Sequence, residues 1–171
     1  MRAIERILYS GVIPESFFTI TSKIYNDLSF IPTEDASTVR SLFEFEAERN
    51  EIIIYTNHIN CRLVGIFPCT ENIAYFGFWE TVNDTEICLE AFTLFEMDAR
   101  YRNRSSIVGP LNFNTFHNYR LRVGPVASWN SFDKEPVNPV YYSTLLYQLG
   151  YAEKSIFESR LISKETVPGV Y

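Results

Sequence analysis

The residue of greatest chemical interest is Glu80, a carboxylate that closes an apolar, aromatic segment. Strict strand alternation places it on the same face as Ala74, Phe76 and Phe78. Apolar surroundings raise the pKa of a carboxyl group towards neutrality, where it can accept a proton from an ammonium group. Glu80 is therefore a candidate general base. The alternative is a strand-end carboxylate in a solvent-exposed turn, and the sequence favours neither interpretation.

Two adjacent tyrosines, Tyr141 and Tyr142, follow Asn138-Pro139 at the start of a segment with helical spacing. A phenol can protonate a leaving thiolate, so Tyr142 is a candidate general acid, and Tyr141 is a candidate for lining the same pocket. The chain contains 11 tyrosines. Because a buried tyrosine usually packs its ring in the core and satisfies its hydroxyl there, a structural role for both is the alternative.

Amides and a histidine follow the Gly109-Pro110 pair. Asn112 and Asn114 are candidates for orienting a substrate through amide hydrogen bonds, and His117 for accepting a proton near neutral pH. The alternative is that the asparagines satisfy the backbone of their own loop, which is the favoured interpretation for Asn114. A lone loop histidine is more often solvated, so His117 is the weakest of the three candidates.

Composition and charge exclude several classes of protein. The 171 residues carry a formal charge of -6, so nucleic acid is disfavoured as a partner. Three scattered cysteines indicate neither a disulfide framework nor a zinc site, and no Ser-His-Asp or Cys-His spacing indicates nucleophilic catalysis, so we expect no metal. No apolar run reaches the ~20 residues of a membrane span, and the first residues lack the apolar core of a signal peptide. We expect a cytoplasmic protein without a membrane partner.

Hydrophobic periodicity and turn residues predict a single α+β domain over residues 1–171. Apolar residues between Ala3 and Leu8 fall at helical spacing, and four further segments are predicted as helices: 15–27, 36–49, 84–101 and 139–149. Five segments are predicted as strands: 52–56, 61–67, 73–82, 106–108 and 151–162. The long third helix is a crossover, so the strands before and after it should run parallel.

Several short motifs in this order resemble the GNAT superfamily of N-acyltransferases, and more narrowly a little-characterised bacterial branch of it. The branch has Phe-Gly-Phe-aromatic-Glu, a long helix, Gly-Pro-x-Asn-Phe, Asn-Pro-x-Tyr-Tyr and a final Gly-aromatic pair. Here these motifs are residues 76–80, 109–113, 138–142 and 150–151. Residues 62–65, Arg-Leu-Val-Gly, resemble the third strand of the superfamily, and residues 24–27 fit the same branch.

The resemblance implies a GNAT fold, which is a mixed, mostly antiparallel sheet with flanking helices, in which the parallel fourth and fifth strands splay apart. The pantetheine arm of the acyl donor fills this gap like an added strand, and the acceptor amine enters from the opposite side. The donor site would comprise Phe78, Trp79, Thr81, Val82, Asn83, Val108 and Gly109. The acceptor site would comprise Asn112, Asn114, His117 and Tyr141.

The function that the resemblance implies is direct transfer of an acyl group from acyl-CoA to a small-molecule amine, with Glu80 as base and Tyr142 as acid. The usual diphosphate loop of the superfamily is rich in glycine. Residues 81–86 contain no glycine and two carboxylates, and carboxylates at a helix start repel phosphate. The pantetheine of an acyl carrier protein is therefore an alternative donor, since it brings no diphosphate to that loop.

A second departure from the superfamily concerns the acid. Many GNAT enzymes have a tyrosine four residues before the glycine that ends the last helix, and here that position is Leu146. Tyr142 lies one turn earlier on the same face of the helix. The alternative function is a catalytically silent GNAT-like protein that binds a ligand or a partner in the same cleft. Both a monomer and a homodimer are compatible with the sequence.

Overall fold

The computed structural model describes residues 3–25, 35–124 and 135–158. Within these ranges the chain forms an α+β fold of five strands and four helices. The strands are β1 (Glu5–Leu8), β2 (Asn50–Thr56), β3 (Cys61–Pro68), β4 (Ile73–Thr81) and β5 (Ser106–Val108). The helices are α1 (Ser16–Ile24), α2 (Ala36–Glu46), α3 (Thr85–Tyr101) and α4 (Tyr142–Gln148).

The described strands form one mixed sheet in the order β1-β2-β3-β4-β5. Neighbours are antiparallel except β4 and β5, which are parallel because α3 carries the chain back to the end of the sheet where β4 began. Every residue of β3 is buried, so the centre of the sheet is covered on both faces. The predicted α+β class, the mostly antiparallel sheet and the parallel pair are confirmed.

Local sequence explains where α3 begins and where α4 ends. The carboxylate of Asp84 accepts hydrogen bonds from the backbone N–H groups of Glu86 and Ile87, which makes it the N-cap of α3. Gly150 has a φ of +86° just after α4, a conformation that residues with a Cβ rarely adopt. Both features lie at bounds of the predicted helices, 84–101 and 139–149, and they fix the helices that flank the end of β4.

Two aromatic clusters fill the core, one on each face of the sheet. The first packs the sheet against α3 and α4 and includes Phe76, Trp79, Phe92, Phe95 and Tyr142. The second packs the other face against α1 and α2 and includes Phe17, Phe43, Phe78 and Phe113. Alternate residues of β2 enter different clusters, as expected for a strand that is covered on both faces.

A β-bulge in β4 changes the predicted alternation. The pairing of β4 with β3 shifts register next to Val64, and Phe78 has a φ of +47°. Phe78 consequently lies in the second cluster, whereas Ala74 and Phe76 lie in the first. The prediction that Phe78 shares the face of Ala74 and Phe76 is therefore wrong, because the extra residue of the bulge reverses the alternation.

The N-terminal segment is a strand rather than the predicted helix. β1 lies at the edge of the sheet and pairs with β2, with Glu5 opposite Thr56 and Leu8 opposite Ile53. A four-residue edge strand needs few apolar positions, so the spacing of its apolar residues does not reveal the strand period. Tertiary pairing decides the structure of this segment.

The remaining differences lie at predicted boundaries. α1 ends at Ile24, α2 ends at Glu46, and residues 26–34 lie outside the described residues. α4 begins at Tyr142 instead of Pro139, whose carbonyl accepts the Tyr142 N–H in the preceding turn. Residues 151–158 are not a strand, because residues 152–158 are exposed and no ladder forms there; residues 159–162 lie outside the described residues.

Candidate functional site

The residues predicted as base and acid meet at the end of β4. The hydroxyl of Tyr142 donates a hydrogen bond of 2.7 Å to Oε2 of Glu80, although the two residues are 62 positions apart. The same hydroxyl oxygen accepts the backbone N–H of Thr81 at 2.9 Å. Burial, followed by the charge of Glu80, raises the pKa of Tyr142 well above its usual value. Tyr142 is therefore a protonated phenol whose hydrogen points to Glu80.

Two further residues, Tyr25 and Arg62, surround the carboxylate of Glu80. The Tyr25 hydroxyl lies 3.4 Å from Oε1 of Glu80, and Nη2 of the fully buried Arg62 lies 4.0 Å from the same oxygen. Arg62 donates through Nε to the Phe78 carbonyl at 3.0 Å and through Nη1 to the Phe17 carbonyl. An arginine inside an apolar strand is the sequence signal for this buried charge, but nothing in the sequence names Glu80 as its neighbour.

The gap that the resemblance predicts between β4 and β5 is filled by the protein itself. The ladder between the two strands ends at Tyr75 and Val108, although β4 extends further. Residues 109–112 then continue along β4, and the Leu111 N–H donates to the Phe76 carbonyl at 2.8 Å. Backbone groups of β4 that the ladder leaves unpaired are therefore satisfied by the loop after β5.

Gly109 and Asn112 bring this loop into close contact with β4. Oδ1 of Asn112 accepts the backbone N–H of Phe78 at 2.7 Å. A Cβ at Gly109 would lie 2.5 Å from the carbonyl oxygen of Phe76, so glycine is required at this close approach. Gly109 and Asn112 thus hold the gap closed beside Phe76 and Phe78 of β4.

Thr81 directs both of its backbone polar groups towards α4. Its C=O accepts a hydrogen bond from the Tyr141 hydroxyl at 2.9 Å, and its N–H donates to the Tyr142 hydroxyl. Burial and the charge of Glu80 raise the pKa of Tyr141 to about 12, so this phenol is also protonated at neutral pH. The N–H and C=O of one residue are the pair that binds an added strand, and two side-chain hydroxyls occupy that pair.

Trp79 fills the same region and packs on the same face of the sheet as Tyr142. Its ring stacks on Tyr142 with the centroids 4.4 Å apart and packs against Phe92 at 5.5 Å. Trp79 is 5% exposed, and its indole N–H has no hydrogen-bond partner among the described residues. An unsatisfied buried donor costs about 1–3 kcal/mol. The indole N–H of Trp79 is therefore a donor that the hydrogen-bond acceptor of a bound ligand would satisfy.

Several backbone donors that follow β4 are already occupied within the protein. The N–H of Val82 donates to the Asn60 carbonyl at 3.0 Å, and Asn83 is exposed. The Asp84 carboxylate occupies two N–H groups in the first turn of α3, at 3.0 and 3.2 Å. A diphosphate at this helix start would meet a carboxylate in place of open backbone donors.

Asn114 and His117 are placed away from Glu80. Nδ2 of Asn114 donates to Glu46 of α2 at 3.2 Å, and its Oδ1 accepts the Phe116 N–H at 3.0 Å. His117 is exposed, and its backbone N–H donates to the Asn114 carbonyl. The geometry favours structural roles for both residues, which the sequence already favoured for Asn114.

Comparisons of the chain with known protein families, with curated proteins and with solved structures find no match. The GNAT resemblance therefore depends on the motifs and on the order of the elements. Across the described ranges, no cluster of three His, Cys, Asp or Glu side chains is placed to hold a metal ion. The same ranges contain no helix with the length and apolar character of a membrane span.

Proposed function

We propose that this chain is an N-acyltransferase of the GNAT type that moves an acyl group from a pantetheine thioester to a small-molecule amine. The main support is the contact between Glu80 and Tyr142 beside the backbone N–H and C=O of Thr81. A proton acceptor, a proton donor and the edge of a strand meet at the end of β4. Acylation of an amine by a bound thioester needs these three components.

The pantetheine arm binds along β4 as an added strand. Its amide groups take the place of the Tyr141 and Tyr142 hydroxyls on Thr81, so the number of hydrogen bonds is conserved. Each such bond contributes a net ~0.5–1.5 kcal/mol, so the exchange has a small free-energy cost. A carbonyl oxygen of the donor satisfies the unpaired indole N–H of Trp79. Tyr142 keeps its hydrogen bond to Glu80 while the donor binds.

The reaction proceeds without a covalent bond to the protein. The acceptor ammonium first loses a proton through Glu80 to solvent, and the free amine attacks the thioester carbonyl carbon. A C–N bond forms, the C–S bond of the tetrahedral intermediate breaks, and the second proton on nitrogen passes to Glu80. Tyr142 protonates the thiolate and recovers its proton from Glu80. The raised pKa of Tyr142 keeps the phenol protonated until the thiolate forms.

The acyl donor on this account is carried by the pantetheine of a carrier protein rather than by CoA. The Asp84 carboxylate already caps α3 at the position where a CoA diphosphate would bind. A carrier protein presents the same pantetheine arm without a free diphosphate, so the capped helix does not oppose it.

The proposal is tested by thiol release from acyl-pantetheine, acyl-CoA and acyl carrier protein over a panel of amines. We expect turnover that is lowered in Glu80→Gln and Tyr142→Phe. Glu86→Gln and Tyr147→Phe are matched controls, because both residues are exposed and lie outside the cluster around Glu80. Full activity in both test variants would reject Glu80 and Tyr142 as base and acid.

A second candidate, a GNAT-like protein that binds a ligand or partner without acyl transfer, is favoured by the filled gap. The rings of Trp79 and Tyr142 pack at a tilt of 34°, and Tyr142 is 2% exposed. Calorimetry with stable acyl-pantetheine amides separates the two candidates. Saturable binding supports the transferase, whereas absence of binding by every pantetheine compound, with the protein folded, supports the second candidate.

A further inference from the structure

Three residues outside the site described above form a chain of hydrogen bonds. Oγ of Ser16 lies 2.7 Å from Nδ1 of His58, and Nε2 of His58 lies 3.1 Å from a carboxylate oxygen of Glu5. Glu5 is on β1, His58 is in the turn between β2 and β3, and Ser16 is the first residue of α1. The spacings of 42 and 53 residues explain why no nucleophile motif is visible in the sequence.

The chemistry of the three groups fixes the direction of each hydrogen bond. An ionised Glu5 carboxylate can accept but not donate, so it selects the imidazole tautomer with the proton on Nε2. Nδ1 of His58 is then an acceptor, and the Ser16 hydroxyl must donate to it. A hydroxyl that donates to a histidine held by a carboxylate is the arrangement of a Ser-His-acid triad, here with the two ring nitrogens exchanged.

The turn that carries His58 holds the imidazole in place. His58 has a φ of +62°, and its N–H donates to the Thr56 hydroxyl at 2.9 Å. Oδ1 of Asn57 accepts the N–H groups of Ile59, Asn60 and Cys61 at 3.0 to 3.1 Å. A base that is fixed by its own turn needs little reorganisation to take a proton from Ser16.

The position of Ser16 at the start of α1 favours negative charge on its oxygen. The preceding residue, Glu15, provides no side-chain cap, and α1 has no acidic residue in its first turn. The carboxylate of Glu15 pairs with Arg40 at 2.6 Å instead. The positive end of the helix dipole therefore acts on charge that develops at Ser16. The His58 side chain is 19% exposed, so small reagents reach the pair from solvent.

We propose that Ser16 is an activated nucleophile and that this triad cleaves small activated acyl esters. His58 takes the hydroxyl proton as Oγ of Ser16 bonds to the acyl carbon. The C–O bond to the alcohol or phenol breaks, and that leaving group takes the proton from His58. Water then attacks the acyl-serine by the same route, which releases the carboxylic acid and restores Ser16. The proposal is independent of acyl transfer at Glu80.

The test uses a fluorophosphonate probe and p-nitrophenyl acetate with the full chain. We expect the probe to label Ser16 by peptide mass spectrometry, and a burst of p-nitrophenol that Ser16→Ala abolishes. His58→Asn, which keeps a residue that tolerates positive φ, should lower both by about 100-fold, the typical contribution of a general base. Added imidazole should restore part of the rate in His58→Asn.

Further variants separate an effect at Ser16 from a general change in the protein. Ser22→Ala removes an exposed serine of the same helix and should change nothing. Glu5→Gln should reduce the rate and alter its pH profile, because it removes the group that orients His58. Absence of label on Ser16, or labelling that His58→Asn leaves unchanged in a folded variant, would overturn the proposal.

Discussion

Two carboxylates in this molecule are surrounded by arginine and tyrosine, yet they are held in different ways. Asp98 on α3 receives hydrogen bonds of 2.5 Å from Arg6, 2.7 Å from Tyr55 and 2.8 Å from Arg102. These residues are the Asp98 cluster. Its hydrogen bonds connect β1, β2 and α3, so the cluster joins elements that are distant in sequence.

The second carboxylate, Glu80, lies further from Arg62 than Asp98 lies from Arg6 and Arg102. Tyr142 donates to it at 2.7 Å and Tyr25 lies at 3.4 Å, but the nearest Arg62 nitrogen is 4.0 Å away. These residues are the Glu80 cluster. Two of the Arg62 nitrogens donate to main-chain carbonyls of β4 and α1. The guanidinium group therefore also stabilises the backbone of these two elements.

The different surroundings of the two carboxylates suit different roles, which are structural for Asp98 and, on the proposed function, chemical for Glu80. Burial opposes ionisation of Asp98, but hydrogen bonds from Arg6, Tyr55 and Arg102 outweigh it and lower the pKa. A carboxylate held by two guanidinium groups remains an anion at neutral pH. Glu80 shares a phenolic proton beside the filled gap, which suits proton transfer on the proposed function. The variants below test whether the two clusters divide stability and activity in this way.

The largest expected effect is on activity. Glu80→Gln should lower the rate of thiol release by about 100- to 10,000-fold, because it removes the proton acceptor. The free energy of unfolding, measured by denaturant titration, should fall less than in Asp98→Asn. Thiol release by Glu80→Gln at the wild-type rate would contradict a catalytic role for the Glu80 cluster.

The largest expected effect on stability is in the other cluster. Asp98→Asn should lower the free energy of unfolding by about 2–3 kcal/mol, because it removes the charge that accepts hydrogen bonds from the partly exposed Arg6 and from Tyr55 and Arg102, although Arg102 keeps its contact with Glu51. Thiol release per folded molecule should stay the same. Glu96→Gln, on the same helix, loses an ion pair with the exposed Arg100 but keeps an oxygen that can accept from Tyr151, so this control should change stability by less than about 1 kcal/mol.

The pH dependence of stability should carry the signature of Asp98. Its pKa is lower in the folded protein than in the unfolded chain, so its contribution is complete above the unfolded pKa of about 3.9. That contribution is lost as the pH falls through the folded pKa. The difference in unfolding free energy between the wild type and Asp98→Asn should therefore shrink from pH 6 to pH 3. A constant difference would contradict this linkage.

The smallest expected effect concerns Tyr141. Tyr141→Phe removes the hydroxyl that satisfies the Thr81 carbonyl, at a cost of about 1 kcal/mol of stability. The same change should tighten binding of a pantetheine amide, because the ligand no longer displaces that hydroxyl. Tyr147→Phe, on the exposed side of α4, is the calorimetric control. Equal weakening of binding in both variants would argue against the replacement of hydroxyls by ligand amides.

Much of this architecture follows from local sequence. The cap at Asp84, the break at Gly150 and the parallel pair around α3 are decided by residues close together in the chain, so periodicity and turn chemistry predict them. The structure of β1 depends on its pairing with β2, and the apolar residues of β1 alone do not indicate that partner. The bulge at Phe78 likewise depends on how β4 pairs with β3, so the sequence of β4 alone does not predict it.

The site was predictable in part for the same reason. Glu80 stands out because a carboxylate is unusual in its apolar segment, and the GNAT resemblance supplied Tyr142 as its partner. The neighbours Tyr25 and Arg62 become visible only when α1, β3 and β4 are packed together. The filling of the gap could not be predicted, because it depends on the rotamers of Tyr141 and Tyr142 and on the path of residues 109–112.

The central claim is that the edge of β4 at Thr81 receives a pantetheine thioester. The most direct measurement is the backbone amide signal of Thr81 and Phe78 during titration with an acyl-pantetheine in which an amide replaces the thioester. If pantetheine binds at Thr81, we expect saturable shifts of both signals and a change in the signal of the Trp79 indole N–H. Unchanged signals at all three groups, while the protein stays folded and soluble at millimolar ligand, would contradict it.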